Sequence, residues 1–429
     1  MSRPKTGEVE RVGDIMRVVV QKFGGALLAT PAGRVQVADL IAATRQQGTA
    51  VVAVVSAIGR EGDPYATDTL VRLVRDIGSQ VDPRTLDLLL STGEVISTAL
   101  VAHTLVRAGC PAIALTGAQA GIITTDEFND ARILRIDTTR ARLHMERGRV
   151  PVIAGFQGIT PDGEITTLGR GGSDTTAVAL GAALGADVVE IYKDVEGIMT
   201  ADPKLVPAAR PIDRITYDEV SQMAALGARV LHPRAADIGR EHNVRLVIKL
   251  MGSPNGGTVI VKGQELGVPI VDDRPVVALA HLPDVVQLKV VRRPSEDLAR
   301  PEGALTVLAE HGISIDLITL MPEVLAFTVK EEAVKEAANL LTKLGYQVQI
   351  SAACAKVSII GAGMRGRPGV MARVVKALHG AGVEILQTAD SHTTISCLVA
   401  RAQMQRALGA LHEEFQLSVE VASQRETEG

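Results

Sequence analysis

Short apolar strands alternate with helices over the first 190 residues, and this alternation restricts the fold more than any other feature of the sequence. The β-branched, apolar stretches of strand length are RVVVQKF, TAVVAVVSAI, CPAIALTG, VPVIAGF and DVVEIYKDV. Between the second and third, LLLSTGEVISTALVAHTLVRAG has the pattern of an amphipathic helix that ends at Gly109. Buried strands joined by helices predict a parallel sheet covered on both faces. Because ligands of such sheets bind at the carboxyl ends of the strands, we expect the functional residues there.

The pattern changes near residue 265, where ELGVPIVDDRPVV is typical of a linker and is assigned to residues 264–275. Two similar segments follow, each with the order strand, helix, strand, strand, helix, strand. LAEHGISIDLI of the first aligns with LHGAGVEILQT of the second, so the segments form an internal repeat. Such βαββαβ units predict two ferredoxin-like modules. We therefore expect an α/β domain at 17–263 and modules at 276–353 and 354–429, the second ending in the strand QLSVEV.

Composition and charge exclude several classes of protein. The net charge of −4 is small and no block is strongly basic, so neither nucleic acid nor a membrane surface is an expected partner. No apolar run approaches the ~18–20 residues that cross a bilayer. The three cysteines have neither metal-ligand nor redox spacing, which indicates a cytoplasmic protein. Residues 1–16 lack the apolar core of a targeting peptide and are predicted to be a disordered extension, with Met16 as an alternative start.

Two glycine patterns that bind nucleotides in other proteins give little support for a P-loop or a dinucleotide site in this sequence. GxxxxGK[ST] does not occur, which disfavours a P-loop kinase. GAGMRG at 361–366 follows the strand KVSII, with Glu384 about 20 residues further on, and so mimics a dinucleotide fingerprint. Pro368 follows, however, and proline favours the first helical turn, so the helix is expected after the glycines. A dehydrogenase is therefore the weakest of the functional hypotheses.

The first strand ends in KFGG, where Lys22 precedes Gly24 and Gly25. Glycines at a strand end let backbone N–H groups approach phosphate oxygens, and a lysine offsets the charge of a phosphoryl group in transfer. The alternative is an ordinary strand end before a turn. Local sequence alone does not decide between the two.

The segment GRGGSD places three glycines and an arginine before an alanine-rich helix. The glycines permit a tight turn with positive φ. Ser173 or Asp174 is expected to cap a helix that begins near Thr175, with its amide groups directed at the loop. Arg170 offers a planar fork for a carboxylate or a phosphate. Together these features favour an anion site over a plain corner.

Two further polar stretches are ambiguous by themselves. Glu94 of STGE is predicted near a helix start, where a carboxylate usually stabilises the helix dipole. YKDVEGIMTADPK follows a buried strand and is either a solvated loop or a polar clamp on a nucleobase and ribose.

Taken together, these stretches occur in the order found in one protein family: KFGG, VVSAI with ATDTL, STGE, GFQGIT, TTLGRGGSDTTA, DVEGIMTADP and GARVLHPRA. Over residues 17–421 the chain resembles the aspartokinases, which have an amino-acid kinase fold followed by two ACT domains. The repeat at the C-terminal end agrees with this resemblance. ADSHTTISCLV and GDPYATDTL are most similar to the subgroup regulated by lysine or diaminopimelate.

The resemblance implies a role for individual residues at the matching motif positions. Lys22 would stabilise the transferring phosphoryl group, and Asp174 would orient that lysine. Glu94 would bind the substrate ammonium, and Arg170 and Ser173 its carboxylates. The residues expected to bind the amino acid are Ser56, Thr67, Glu94, Arg170 and Ser173. The residues expected to bind the nucleotide are Lys22, Gly24, Gly25, Lys193, Asp194, Asp202 and Lys204.

The implied reaction converts ATP and L-aspartate to 4-phospho-L-aspartate and ADP, the first step of the lysine, threonine and methionine pathway. The attacking carboxylate is already ionised, so the reaction needs no general base, and Mg²⁺ would be carried by the phosphates rather than by protein ligands. The resemblance also implies a homodimer or higher oligomer formed through the ACT domains. An amino-acid effector would bind there, near EGAL, ISIDLI and LQTADSH. The alternative is that these modules only dimerise.

Three positions depart from the family pattern. The usual Thr-Ser-Val after KFGG is replaced by Ala26, Leu27 and Leu28, so two hydroxyls near the phosphates are missing. Lys193 stands where a threonine usually precedes the loop aspartate, and residues 249–252 replace an Arg-Ser-Thr strand end. Each lost hydrogen bond to a charged group is worth about 1.5–3 kcal/mol. An active kinase remains the favoured hypothesis, and a kinase-impaired amino-acid sensor is the alternative.

Overall fold

A computed structural model describes residues 17–78, 80–228, 231–253, 256–263, 275–291, 301–321, 324–364 and 366–419. The predicted N-terminal extension and all but residue 275 of the predicted linker lie outside these residues. The chain forms two compact units. The first comprises residues 1–198, 211–221 and 230–267, and the second 199–210, 222–229 and 268–429. The second unit therefore includes two short segments that the sequence analysis assigned to the α/β domain.

The first part of the chain, up to residue 261, contains twelve strands and eight helices among the described residues. The strands are β1 (Val18–Phe23), β2 (Ala50–Val55), β3 (Ala112–Leu115), β4 (Ile122–Thr124), β5 (Ile133–Ile136), β6 (Val150–Ala154), β7 (Gln157–Ile159), β8 (Ile165–Thr167), β9 (Val188–Lys193), β10 (Arg214–Thr216), β11 (Leu246–Leu250) and β12 (Thr258–Val261). The helices are α1 (Gly25–Leu28), α2 (Pro31–Gln46), α3 (Thr67–Arg75), α4 (Pro83–Arg107), α5 (Thr139–Glu146), α6 (Gly172–Leu184), α7 (Tyr217–Ala225) and α8 (Pro233–Glu241).

The central sheet has the strand order β10-β12-β11-β9-β1-β2-β6-β3. Its pairs are parallel except for β11 with β12, which confirms the predicted mostly parallel sheet. Side chains alternate along β1, so Phe23 and Lys22 face opposite sides. Phe23 packs in an apolar core with side chains of α2 and α4, whereas Lys22 faces α6. Strands β4, β5, β7 and β8 form a separate four-stranded sheet.

Helix α4 is longer and begins earlier than predicted. Asp82 caps it by accepting a hydrogen bond from the Thr85 N–H at 2.8 Å, and its 25 residues place Glu94 in the middle rather than near the start. The same helix is long and apolar enough, by length and composition alone, to cross a membrane. The expectation of no such stretch was therefore wrong. Half of its most apolar stretch is buried within the protein, as in the core helix of a globular domain.

The second unit contains a six-stranded antiparallel sheet with the order β14-β15-β13-β16-β18-β17. Its strands are β13 (Ala278–Val291), β14 (Asp316–Leu320), β15 (Val324–Lys330), β16 (Gln347–Ile360), β17 (Gln387–Asp390) and β18 (Thr394–Ala400). Its helices are α9 (Pro301–Glu310), α10 (Val334–Lys343), α11 (Val370–Gly380) and α12 (Met404–Glu414).

The two modules share their central strands instead of following one another. The C-terminal half of β13 pairs with the N-terminal half of β16 and with β15, whereas its N-terminal half pairs with the C-terminal half of β16. Register shifts after Leu282 and Val285, with positive φ at Asp284 and Ala353, separate the halves. Each module thus has four strands. The fourth strand of the second module is the N-terminal half of β13, which comes before the first module in the sequence.

Because the N-terminal half of β13 belongs to the second module, two expectations from the sequence are corrected. Residues 416–419 of the predicted final strand are turn and bend, and the rest of it lies outside the described residues. The edge of β16 where that strand would pair is already occupied by β13. The continuous β16 also crosses the predicted boundary between residues 353 and 354.

The GAGMRG stretch does not start a helix. Residues Ala362–Met364 form a short 3-10 turn, and α11 begins at Val370, after the glycines as expected. A Cβ at Gly361 would lie 2.2 Å from the Pro275 carbonyl oxygen, so this glycine allows a close backbone approach. The dinucleotide geometry, in which the glycines form the N-terminus of a helix, is therefore not formed.

Candidate active site

A buried ion pair joins β1 to α6. Nζ of Lys22 lies 2.7 Å from Oδ1 of Asp174, and both side chains are only 9% exposed. Lys22 is the penultimate residue of β1, and Asp174 is the third residue of α6. Burial raises the pKa of Asp174, but the charges of Lys193 and Lys22 outweigh it and leave the pKa below its ordinary value. Asp174 is therefore ionised at neutral pH and holds the lysine in place.

A second lysine shares the same carboxylate. Nζ of Lys193, the last residue of β9, lies 3.2 Å from Oδ2 of Asp174. Strands β1 and β9 are parallel neighbours, with Lys22 opposite Ile191. Lys193 is two residues further along β9, so both lysines project from one face at the carboxyl end of the sheet. The sequence marked Lys193 as a departure from the family pattern and as an expected nucleotide-binding residue, and the structure places it beside the central ion pair.

Helix α6 begins at Gly172, three residues before the predicted start at Thr175. Gly171 occupies the N-cap position with φ of 69°, a left-handed conformation that suits glycine, and no side chain caps the helix. The predicted capping by Ser173 or Asp174 was therefore wrong, because both lie inside the first turn. The earlier start leaves the Asp174 carboxylate to pair with the two lysines instead of with the backbone.

Glu94 is a buried carboxylate with one unsatisfied oxygen. Its Oε1 accepts a hydrogen bond from the Ala57 N–H at 2.9 Å, and its Oε2 has no hydrogen-bond partner among the described residues. Burial raises the pKa of Glu94 to about 8, while the Ala57 N–H and the charge of Lys22 act in the opposite direction. A buried acceptor without a partner is costly, so this oxygen fits a ligand that donates hydrogen bonds.

The other residues expected to bind the amino acid lie in the same unit. Ser56 follows β2 directly, is half-buried, and donates its N–H to the Phe23 carbonyl oxygen at 3.2 Å. Thr67 is the first residue of α3 and is also half-buried. Ser173 is buried, whereas Arg170 is exposed in the loop before α6. A solvent-exposed arginine keeps its donors accessible for an incoming anion.

The glycines after Lys22 permit a close approach of the chain to the end of β2. A Cβ at Gly25 would lie 2.0 Å from the Ala57 carbonyl oxygen, and the Gly25 carbonyl accepts a hydrogen bond from the Gly59 N–H at 3.0 Å. Gly24, at the N-cap of the short α1, has a more open environment. No side chain larger than hydrogen fits at Gly25 without displacing the loop that carries Ala57.

The predicted nucleotide loop is divided between the two units. Asp194 is exposed, and its Oδ2 lies 2.9 Å from Nη2 of Arg60, an ion pair of little energetic value at the surface. Asp202 and Lys204 belong to the second unit, where the Lys204 N–H donates to Oδ1 of Asp202 at 2.9 Å.

Two residues that were assigned no role support the loop before α6. Nη2 of Arg234 lies 2.7 Å from Oδ2 of Asp130, and Nη1 donates to the carbonyl oxygens of Asp130, Ala131 and Leu168. His232 packs against Gly171, where a Cβ would lie 2.5 Å from its side chain. Burial and the charge of Arg234 lower the pKa of His232, so the ring is mainly neutral at pH 7. The HPR segment was the signal that could have directed attention to both.

Lys249, the first residue of the replaced strand end, lies on the other face of the sheet, opposite Tyr192 of β9. Nζ of Lys249 lies 2.6 Å from Oε1 of Glu190, and Oε2 of the same carboxylate accepts hydrogen bonds from Gln21 and Tyr192. Gln21 alternates with Lys22 along β1, so this cluster and Asp174 lie on opposite sides of β1. The Lys249 departure thus affects the packing beneath α2 and α4 more than the lysine pair.

Comparison with known proteins assigns the chain to a family. A sequence model of the amino acid kinase family matches residues 17–249, and a model of the ACT domain matches residues 349–413. Aspartokinase 1 of Bacillus subtilis is 42% identical over 404 residues, which cover 94% of this chain and 100% of that protein. The chain belongs to the aspartokinase family. Aspartokinase of Geobacillus stearothermophilus is 40% identical over 96% of this chain and all of its own length.

Solved aspartokinase structures have the same fold. Escherichia coli aspartokinase III, crystallised with aspartate and ADP, has a TM-score of 0.70 at 25% identity and covers 93% of this chain and 99% of its own. Clostridium acetobutylicum aspartate kinase has a TM-score of 0.76 at 20% identity, over 92% of this chain and 100% of its own. The predicted fold class, an amino-acid kinase domain with a C-terminal ACT region, is confirmed, as is the prediction of an aspartokinase enzyme with ACT-mediated regulation.

Proposed function

We propose that this aspartokinase transfers the γ-phosphoryl group of ATP to the side-chain carboxylate of L-aspartate, giving 4-phospho-L-aspartate and ADP. The observation that carries this proposal is the buried pair of Lys22 and Asp174 at the end of β1, with the unsatisfied Glu94 oxygen nearby. A cation at that point offsets the charge of a phosphoryl group in transfer. The nearby buried oxygen accepts hydrogen bonds from an ammonium group. Together the two groups suit an amino-acid acceptor.

The chemical step needs positioning and charge stabilisation rather than proton transfer. A carboxylate oxygen of aspartate attacks the γ-phosphorus, the bond to the β,γ-bridging oxygen breaks, and ADP leaves with that electron pair. Because both the attacking and leaving groups are oxyanions at neutral pH, no general base is required. Lys22 would interact with the transferring phosphoryl oxygens, and Asp174 would keep Lys22 in its reactive orientation.

The amino acid would be held by groups around the end of β2 and the start of α6. Glu94 would bind its ammonium group, and Arg170 and Ser173 would bind its carboxylates. Ser56 and Thr67, both half-buried in this unit, would supply hydroxyl contacts. Because Arg170 is exposed, its guanidinium group can contact an incoming aspartate at little desolvation cost.

The nucleotide would be bound by the glycine turn after β1 and by the loop after β9. Backbone N–H groups of Gly24 and Gly25 would approach the phosphates, and Lys193 and Asp194 of the same unit would contribute side chains. No group of three acidic, histidine or cysteine side chains among the described residues has the spacing to hold a metal. Mg²⁺ would therefore bind chiefly through the phosphates and neutralise part of their charge.

Regulation and assembly would use the ACT region. A structure of Escherichia coli aspartokinase III contains lysine and aspartate, which supports an amino-acid effector for this chain as well. We place it near the start of α9, β14 and β17, and place the homodimer or higher oligomer at the same modules. The reaction would serve lysine, threonine and methionine synthesis in the cytoplasm, through the diaminopimelate pathway.

The hypothesis of a kinase-impaired amino-acid sensor depended on Ala26 and Leu27, which carry no hydroxyl. The intact ion pair and the identity to full-length aspartokinases favour the enzyme. The test is an assay with ATP, Mg²⁺ and millimolar aspartate, with the acyl phosphate trapped as a hydroxamate. ATP- and aspartate-dependent hydroxamate is expected. If an amino acid binds to the ACT region but no hydroxamate forms, the kinase hypothesis is rejected in favour of the amino-acid sensor.

A further inference from the structure

The site contains two lysines on one carboxylate, although one is enough to offset the charge of Asp174. Lys22 and Lys193 contact Oδ1 and Oδ2 at 2.7 and 3.2 Å. Both oxygens of the carboxylate are therefore engaged by ammonium groups, and one carboxylate bridges the two cations. Like charges on one carboxylate repel each other, and an arrangement of this kind is stabilised when an anion binds between them.

The strand order separates the two lysines into different parts of the site. Strands β9, β1 and β2 are consecutive in the sheet. Lys193 ends β9, Lys22 lies near the end of β1, and Glu94 bonds to Ala57 just beyond β2. Lys22 thus lies between Lys193 and Glu94. If Glu94 binds the ammonium group of the acceptor, Lys193 lies on the side of the phosphoryl donor.

The glycine turn itself is followed by side chains that offer a nucleotide no donors. The residues that follow Gly25 are Ala26, Leu27 and Leu28, and none of them has a polar side chain. The Lys193 side chain is 21% exposed while it contacts Asp174, against 9% for Lys22, so it is the more accessible of the two lysines. Lysine brings three donors and a full charge, which suit the oxygens of a polyphosphate.

We propose that Lys193 is a second phosphate-binding lysine of the active site, which contacts the β-phosphate of the nucleotide while Lys22 contacts the transferring phosphoryl group. This inference rests on the proposed function, because it assumes a nucleotide donor. Asp174 would position both lysines through its two oxygens. The β-phosphate becomes the terminal group of ADP, so Lys193 would stabilise the charge that develops on the leaving group.

The test compares ADP and AMP binding to the full-length protein by isothermal titration calorimetry. Lys193→Met removes the charge and keeps the length of the side chain, and it is expected to weaken ADP binding at least tenfold. AMP lacks the β-phosphate, so its affinity is expected to change less than twofold. Lys193→Arg keeps a cation and is expected to recover part of the ADP affinity. The matched control is Lys262→Met, an exposed lysine of the same unit, which should bind ADP as wild type does.

The outcomes separate this inference from the proposed function. Unchanged ADP affinity in Lys193→Met with an unchanged melting temperature, or equal losses for ADP and AMP, would overturn the role of Lys193. A raised KM for aspartate with unchanged ADP binding would also overturn it, by placing Lys193 on the acceptor side. Calorimetry does not require turnover. If Lys193→Met weakens the binding of ADP but not of AMP, and the wild-type protein does not phosphorylate aspartate, the role of Lys193 is supported and aspartate is rejected as the acceptor. A wild-type protein that binds no ADP would reject both.

Discussion

Glu94 accepts a hydrogen bond from the backbone N–H of Ala57 at 2.9 Å, and this contact satisfies only one of its two buried oxygens. Glu94 comes from the middle of α4, and Ala57 follows the end of β2. The bond therefore fixes the position of a carboxylate at the edge of the sheet where substrates are expected. The second oxygen fits a ligand that donates hydrogen bonds. The pKa of Glu94 is raised to about 8, so the charge of this carboxyl group depends on pH near neutrality.

The aspartate KM is expected to depend on pH through Glu94. With a pKa of about 8, Glu94 of the free enzyme is mostly protonated at pH 7, with roughly one tenth ionised. Only the ionised form attracts an ammonium group, so KM should rise as pH falls below about 8. Glu94→Gln should raise KM by about 10- to 100-fold and remove this dependence. Initial rates from pH 6.5 to 9 measure both, and a Glu94→Gln enzyme that kept the wild-type pH profile of KM would contradict the role.

The stability of the ligand-free protein provides a control for Glu94. Its folded-state pKa lies above the ordinary value of 4.5, so the folded state binds the proton more tightly than the unfolded state. Stability from this group is therefore full below pH 4.5 and is lost as pH rises towards 8. Glu94→Gln should melt higher than wild type at pH 9, and the difference should shrink at pH 5. A lower melting temperature at both pH values would show a packing defect instead.

Lys22→Ala is expected to lower kcat by at least about 10²-fold, because the lost ammonium group stabilises charge in the transition state. Asp174 would keep Lys193 as a partner, so the fold should persist. The hydroxamate assay measures the rate, and thermal melting with circular dichroism checks folding. A folded Lys22→Ala protein with kcat near wild type would refute the assigned role.

Arg170→Ala is expected to raise the aspartate KM about tenfold or more, with the ATP KM changed less than twofold. Arg170 is exposed, so stability should change by less than about 0.5 kcal/mol. Saturation curves for each substrate at a fixed excess of the other distinguish the two constants. An increase confined to the ATP KM would reassign the arginine to the phosphates.

Gly25→Ala is expected to destabilise the protein by about 1–3 kcal/mol and to reduce activity, because the new methyl group meets the Ala57 carbonyl oxygen. The control is Gly78→Ala in the same unit, where no atom lies within 4 Å of the added Cβ. Urea unfolding followed by circular dichroism gives both free energies. Equal stability of the two variants would show that the loop at residues 57–59 moves freely away from the glycine turn.

Elements that depend on local patterns were predictable. Strand β1 occupies the predicted apolar run, and the two-module region was visible as a repeat. Element boundaries were less predictable, since α6 begins at Gly172 and α4 at Pro83. In both cases the start is set by a residue outside the periodic pattern, namely a left-handed Gly171 and a capping Asp82.

Long-range pairings could not be predicted from spacing. No local sequence feature assigns the N-terminal half of β13 to the second module, because pairing with a strand of either module would satisfy its apolar pattern. Arg234 likewise shows no sign of its contacts with residues 130, 131 and 168, which are more than 60 positions away. The exchanged strand displaced the predicted pairing of residues 416–421.

The sequence by itself determined the family, the parallel sheet and the residues at its carboxyl edge, because apolar periodicity and glycine turns act over a few neighbouring positions. Only the tertiary structure decided how those residues share their charges. Lys193 differs from the family pattern, and its sequence position does not reveal that it contacts Asp174 on the same carboxylate as Lys22. Electrostatic interactions depend on distance and burial, and both are set when β1, β9 and α6 pack together.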